Sequence, residues 1–129
     1  MNGRYLLDTN IVIALFADDQ AVKDNLERVD EAFVSNIVLG ELYYGARNST
    51  KVDENIQRIE DFSSAISVIH NNQDTARQYG QIKTVLRTKG RPIPENDIWL
   101  AAQACQYHLS LVSREQHFRE IELLFLETW

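Results

Sequence analysis

The chain has 129 residues, of which 44% are hydrophobic and 25% charged, and its formal net charge is −6. This composition excludes a disordered chain, and the length predicts one compact domain over residues 1–129. The longest apolar run is too short to cross a bilayer, and the acidic charge argues against a general nucleic-acid coat protein. We therefore expect a soluble, cytoplasmic protein that does not bind a membrane.

Short apolar segments alternate with segments of helical periodicity along the chain. In chain order they predict strand 5–7, helix 10–17, helix 20–29, strand 32–35, helix 36–47, helix 52–65, strand 66–70, helix 74–88, helix 95–108, strand 109–113 and a short fifth strand at 123–127. Strands separated by helices of these lengths predict an α/β fold. We expect one mainly parallel central sheet of four to five strands with helices on both faces.

Four acids from distant parts of the chain are expected at one edge of this sheet. Asp8 directly follows the first strand, and ligand sites in parallel sheets lie beyond the carboxyl ends of the strands. Glu41 shares an apolar helix face with Tyr44, where an acid is costly unless it is paired or binds a cation. Asp97 lies in the first turn of a helix that starts at the same edge, and Glu115 follows the fourth strand. The sequence therefore predicts a cluster of carboxylates.

Each acid also has a purely structural interpretation. Asp8 can cap the helix that follows it, and Asp97 can complement a helix dipole. Glu41 can be the buried partner of an arginine, and Glu115 can be a solvated loop acid. Capping, however, does not require four acids at one edge, and their mutual repulsion would penalise such an arrangement without a cation.

Oxygen ligands without a Cys/His pair at zinc spacing favour Mg²⁺ or Mn²⁺ over zinc. His70, His108 and His117 are scattered and are interpreted as surface or packing residues, and Cys105 as a small core residue. There is no Gly-rich phosphate loop and no Gly-x-Ser-x-Gly elbow. A metal site built from carboxylates suits phosphodiester hydrolysis, because the ions bind the phosphate and activate a water without a protein nucleophile.

Four segments carry a resemblance to a known family: LLDTNIVIALF, VSNIVLGELYYGA, IPENDIWLAAQA and LVSREQHF. In order and spacing they resemble the successive motifs of PIN-domain ribonucleases, specifically the VapC-type toxins of bacterial toxin–antitoxin pairs. The resemblance implies that Asp8, Glu41 and Asp97 form the metal site and that Glu115 takes the fourth acidic position. The family usually has aspartate at that position. The resemblance thus implies Asp8 and Asp97 as metal ligands, with Glu41 and Glu115 ligating directly or through water.

The resemblance assigns supporting roles to four polar residues. Thr9 and Ser113 match small polar positions near the family's site, and Asn10 and Asn96 are expected to hydrogen-bond the acids rather than ligate. The implied activity is a Mg²⁺- or Mn²⁺-dependent endoribonuclease that hydrolyses RNA with a metal-activated water, on a structured RNA such as tRNA. The implied partners are a cognate VapB-type antitoxin and a second copy of the chain.

Two surfaces remain ambiguous in the sequence. Residues 75–94 hold five bases and no acid, so Lys83, Arg87, Lys89 and Arg91 either contact RNA phosphates or form a solvated face. The apolar side chains that suit a docked antitoxin suit core packing equally well. They are Tyr43, Tyr44, Ile56, Ile59 and Phe62.

Two other functions stay open. A catalytically silent PIN fold used as a binding module is compatible with the departure at Glu115. A phosphatase with Asp8 as nucleophile fits the position at the end of a strand. It would be expected to carry a second aspartate where this chain has Asn10, and it gives Glu41 no role.

Overall fold

A computed structural model describes residues 3–129 of the chain. In chain order its elements are β1 Arg4–Leu7, α1 Thr9–Phe16, α2 Gln20–Arg28, β2 Glu31–Ser35, α3 Asn36–Arg47, α4 Val52–Ala65, β3 Ser67–Ile69, α5 Gln73–Lys89, α6 Glu95–Gln106, β4 Ser110–Val112, a 3₁₀ helix Gln116–Glu120 and β5 Leu126–Glu127. The predicted domain of residues 1–129 begins with residues 1 and 2, which lie outside the described residues.

The strand order is β3-β2-β1-β4-β5, and every pairing is parallel. Strand β1 lies at the centre, where Leu7 is in register with Val34 of β2 and Val112 of β4. The α/β fold with a parallel sheet is therefore confirmed. The carboxyl ends of β1 and β4 are neighbours, which brings the residues after them, Asp8 and Ser113, to the same edge.

Helices cover both faces of the central strand. Leu6 and Leu7 are adjacent in β1 and point to opposite faces, yet both are completely buried. Helix α6 is the most buried helix, and three of its buried residues are alanines, so its backbone packs close to its neighbours. Cys105 follows them but is only half-buried, at the border of the core rather than inside it. Because Cys105 is not fully buried, it is not the core residue that the sequence predicts. Its partial burial still raises the pKa of its thiol.

The element bounds follow local signals in the sequence. Asp8, Asp19 and Ser35 accept hydrogen bonds from the first-turn amides of α1, α2 and α3, and Gly90 ends α5 in the left-handed conformation with φ 68°. Strand β5 begins three residues later than predicted, because Leu123 lies in a turn with 84% of its surface exposed. Within residues 3–129, no helix combines the length and apolar character needed to span a bilayer.

Candidate active site

Asp8 is at once a helix cap and the buried centre of the site. Its side chain is only 4% exposed at the carboxyl end of β1. Oδ1 accepts a hydrogen bond of 2.8 Å from the backbone N–H of Thr9, which starts α1. Oδ2 accepts hydrogen bonds of 2.7 Å from the Ser113 hydroxyl and 3.4 Å from the Asn10 amide. The cap therefore fixes the direction in which the carboxylate points.

The electrostatics of Asp8 favour the binding of a cation. Burial raises the pKa of the Asp8 carboxyl, the hydrogen bonds from Ser113 and Thr9 lower it, and the charges of Glu41 and Glu115 raise it again. The net direction is upward. An ionised carboxylate that is both desolvated and repelled by two other acids is stabilised by a bound cation.

Asp97 lies in the first turn of α6 and faces the same charge cluster. Burial raises the pKa of its carboxyl most, the carboxylates of Asp8 and Glu41 add to the rise, and His117 opposes it. The His117 Nε2–H donates to Oδ2 of Asp97 at 2.7 Å. The charge of Asp8 therefore reaches Asp97, although the two residues are 89 positions apart in the sequence.

Glu41 belongs to the cluster, but the apolar helix face predicted for it is not the buried face of α3. Glu41 is exposed, and the inner face of α3 is formed instead by Val38, Leu42 and Ala46. The Thr9 hydroxyl donates to Oε1 of Glu41 at 2.7 Å, which connects the start of α1 to α3. Within residues 3–129 Glu41 makes no ion pair with an arginine, so the alternative of a buried charge pair does not apply.

Glu115 lies at the rim of the site. Its side chain is 56% exposed, and one carboxylate oxygen lies 3.9 Å from Nδ1 of His117. Its backbone N–H donates to the Ser113 hydroxyl at 3.0 Å, and that hydroxyl donates in turn to Asp8. Glu115 is therefore tied to the centre of the site through its backbone, while its carboxylate faces solvent.

His117 is a residue of the site that the sequence interpretation missed. It was expected at the surface or in packing, but it is hydrogen-bonded to Asp97 and lies beside Glu115. The signal was present, because the segment LVSREQHF contains this histidine. His70 and His108 are exposed, in agreement with the prediction for them.

Arg114 holds the loop after β4 in place. Its backbone N–H donates to Oδ1 of Asn10 at 3.2 Å, and its guanidinium donates to the Trp129 carbonyl at 2.8 Å and to Asp19 at 3.0 Å. Asn96 differs from expectation. Within the described chain it makes no hydrogen bond to an acid, and it is exposed at the border of a recess next to Glu41.

The basic stretch, residues 75–94, is largely neutralised by acids from other segments. Lys83 forms an ion pair with Glu95 and contacts the Tyr79 hydroxyl at 3.0 Å. Lys89 and Arg91 lie 3.7 and 4.0 Å from one carboxylate oxygen of Glu120. These three residues therefore have acidic neighbours from outside the stretch, and both the contact with RNA phosphates and the solvated face stay predictions. Arg87 is exposed in the last turn of α5.

The donor chemistry of the cluster suits a hard divalent cation. Over residues 3–129, no group of three His, Cys, Asp or Glu side chains is arranged to hold one metal ion. The charge of Asp8 nevertheless raises the pKa of the Asp97 carboxyl, and a shared cation would offset this repulsion. Mg²⁺ commonly binds through one or two carboxylates and retains several waters. Two carboxylates completed by water therefore fit this site better than a cage of protein ligands.

Known proteins resemble this chain over nearly its whole length, in sequence and in fold. A family model described as PIN domain matches residues 5–124. The chain is 37% identical over 131 residues to Ribonuclease VapC2 of Haemophilus influenzae and covers 98% of each. It is 31% identical over 135 residues to the tRNA(fMet)-specific endonuclease VapC of Shigella flexneri, again covering 98% of each. The crystal structure of VapBC2 from Rickettsia felis bound to a DNA fragment from its promoter matches with a TM-score of 0.90 and 32% identity over 98% of each chain.

Proposed function

Because the chain belongs to the PIN-domain family and, within it, to the VapC ribonucleases, we propose that it is an endoribonuclease and the toxin of a toxin–antitoxin pair. One observation carries the proposal. Asp8, Glu41, Asp97 and Glu115 lie at one edge of the sheet, close enough for the charges of neighbouring acids to shift the pKa values of Asp8 and Asp97. An RNA phosphate cannot approach so many negative charges until a cation compensates them.

We propose Mg²⁺ or Mn²⁺ as that cation, held directly by Asp8 and Asp97 and through water by Glu41 and Glu115. Asp8 is buried and Asp97 half-buried, whereas Glu41 and Glu115 are exposed, which supports this division. When bound, such an ion polarises a phosphoryl oxygen and makes an attacking water more acidic.

The residues of the chain position the reactants. Ser113 and the Thr9 amide hold the two oxygens of Asp8 in one orientation, and His117 does the same for Asp97. The Thr9 hydroxyl engages Oε1 of Glu41, which leaves Oε2 to accept a hydrogen bond from a water at the mouth of the site. A water oriented in this way can approach the phosphate in line with the leaving oxygen.

We further propose a structured RNA such as tRNA as substrate, a VapB-type antitoxin as inhibitor, and a homodimer in the cytoplasm as the working form. The Shigella flexneri relative is named for its action on tRNA(fMet), and the matched Rickettsia felis structure is a VapBC complex. The other two candidate functions have less support. A silent binding module does not need mutually repelling acids, and in a phosphatase Asn10 would stand where a second aspartate is expected.

The test is cleavage of purified RNA with Mg²⁺ or Mn²⁺. We expect cleavage by the wild type and its loss both in EDTA and in Asp8→Asn, which keeps the shape and the helix cap but removes the charge. Asp53→Asn is the matched control, because it removes an exposed acid from the first turn of α4. Cleavage that survives Asp8→Asn would overturn the proposal, and a trapped aspartyl-phosphate would favour the phosphatase.

A further inference from the structure

Tyr44 is an exposed aromatic residue one helical turn from Glu41. Its surface is 74% exposed, and among the described residues its ring packs against no other aromatic ring. By contrast Ile59, another residue of the ambiguous apolar set, is buried in the core. Core packing therefore explains Ile59 but not Tyr44.

A recess of about 570 Å³ lies between Tyr44 and the start of α6. It is bordered by Ile37, Gly40, Glu41, Tyr44 and Asn96. Binding sites for small molecules span roughly 300–1,000 Å³, so the recess has the volume for a molecule of that size. Because Glu41 also belongs to the acid cluster, a molecule in the recess lies directly against the proposed reaction centre.

Gly40 borders the recess without a side chain. A Cβ atom added to Gly40 would meet nothing within 4 Å. The space above Gly40 belongs to the recess, and a side chain there would reduce it.

Asn96 supplies a neutral polar group at the border of the recess, in addition to the Glu41 carboxylate. Its amide carries one acceptor and two donor hydrogens, and the side chain is exposed. An amide of this kind can form paired hydrogen bonds with the edge of a nucleotide base. One aromatic ring beside one amide fits a base better than it fits an apolar protein segment, which needs a continuous apolar wall.

Resting on the proposed endoribonuclease function, we propose that this recess receives one unstacked base of the RNA next to the cleaved phosphate. The base stacks on the Tyr44 ring, Asn96 hydrogen-bonds its edge, and Gly40 leaves the room it occupies. Recognition of RNA commonly uses such splayed bases, stacked on aromatic side chains. The recess thus positions the substrate and selects among bases, whereas the acid cluster carries out the hydrolysis.

The first test combines a protein variant with a substrate variant. The cleaved bond is mapped with the wild type on unfractionated bacterial tRNA, and kcat/KM is then measured on a synthetic stem-loop containing that bond. We expect Tyr44→Ala to lower kcat/KM by roughly 5- to 150-fold, the range for loss of one stacked base, and Tyr44→Phe to stay within about threefold of the wild type. An abasic site next to the cleaved bond should reproduce the loss in the wild type and add little in Tyr44→Ala.

The second test fills the recess. Gly40→Leu should lower kcat/KM, whereas Gly80→Leu should not. Gly80 is the matched control, because it is also an exposed glycine inside a helix where an added Cβ meets nothing within 4 Å. Both variants should fold, since leucine favours helix. Equal kcat/KM in the two variants would overturn the role of the recess.

The outcomes separate this inference from the function on which it rests. If the wild type cleaves no RNA, the proposed function fails. If the wild type cleaves but Tyr44→Ala and the abasic substrate act additively, the base site is wrong while the ribonuclease stands. If Tyr44→Ala cleaves normally and only escapes inhibition by the antitoxin, the surface binds protein and the base site is again wrong.

Discussion

The fold gives oppositely charged partners to one charged region of this molecule and withholds them from another. In the basic stretch, residues 75–94, Lys83 is paired with Glu95, and Lys89 and Arg91 lie beside Glu120. In the acid site, which consists of Asp8, Glu41, Asp97 and Glu115, the described chain supplies no Lys or Arg as an ion-pair partner, and only His117 approaches. The difference teaches which charges are structural. Charges that the fold neutralises hold elements together, and charges that it leaves facing one another are available to a ligand.

The largest expected effect contrasts two acids in the first turn of α6. Asp97→Asn should reduce RNA cleavage more than about 100-fold, because it removes a proposed metal ligand. Glu95→Gln, two residues earlier, removes the partner of Lys83 and should leave kcat/KM unchanged, since the pair is exposed. Initial rates at saturating Mg²⁺ measure both. Comparable losses of kcat/KM in the two variants would show that paired and unpaired acids do not differ in function.

Removal of the one basic group at the acid site should have the next largest effect. His117→Ala frees Asp97 to rotate, and we expect a loss of about 10- to 100-fold in cleavage with weaker activation by Mg²⁺. His117→Gln keeps a donor near Asp97 and should recover part of the activity. His70→Ala, at an exposed histidine, serves as control. If His117→Ala titrates with Mg²⁺ like the wild type, His117 does not position Asp97.

A smaller effect concerns stability. The pKa of Asp8 is raised in the folded state from 3.8, so the folded protein binds a proton more tightly than the unfolded chain does. Folding stability from this group is therefore greatest at low pH and declines as pH rises through 3.8 and then through the higher folded-state pKa. In EDTA at pH 7, Asp8→Asn should raise Tm, because the variant no longer keeps a repelled, desolvated charge in the folded state.

The pH dependence of the increase in Tm provides an internal control for the Asp8→Asn variant. The difference in Tm between Asp8→Asn and the wild type should shrink as the pH is lowered toward 4, because the wild-type carboxyl then becomes neutral too. Thermal unfolding followed by circular dichroism between pH 4 and 7 measures it. A lower Tm for Asp8→Asn at every pH would mean that the ionised carboxylate stabilises the fold. It would contradict the view that the charges of the acid site are not structural.

The smallest effect is expected in the basic stretch. Because Glu95 already neutralises Lys83, Lys83→Ala should leave the slope of log kcat/KM against log salt unchanged. The salt dependence of kcat/KM for RNA cleavage, measured between 50 and 300 mM salt, tests this expectation. A slope that becomes shallower by about 0.7 would show that Lys83 contacts one RNA phosphate.

Most of the fold could be predicted because its signals are local. Apolar runs and helical spacing marked the five strands and the six α-helices, and a glycine marked the end of α5. The 3₁₀ helix Gln116–Glu120 was missed because its short, polar sequence has no distinct periodicity. Strand β5 was predicted too long because Leu123 and Phe125 read as core residues, although both are exposed.

The sequence predicts where the residues of the site lie in the fold, but not which neighbours surround them. Parallel strands fix where their carboxyl ends lie, which sufficed to bring Asp8 and Asp97 together. Periodicity identified the residues that share a helix face with Glu41, but not whether another element covers that face. The role of His117 and the neutralisation of Lys89 depend on contacts across 20 and 31 residues, and no local pattern encodes such contacts.

The hydrogen bond from Ser113 to Asp8 joins residues 105 positions apart. During synthesis, Asp8 and Glu41 leave the ribosome well before Ser113, Glu115 and His117, and Asp97 leaves shortly before them. The central pairing of β1 with β4 waits for the same late segment. A nascent chain that ends before Ser113 thus carries three of the acids but lacks the hydrogen bonds from Ser113 to Asp8 and from His117 to Asp97. The order of the elements delays the formation of a destructive site until nearly the whole chain has emerged.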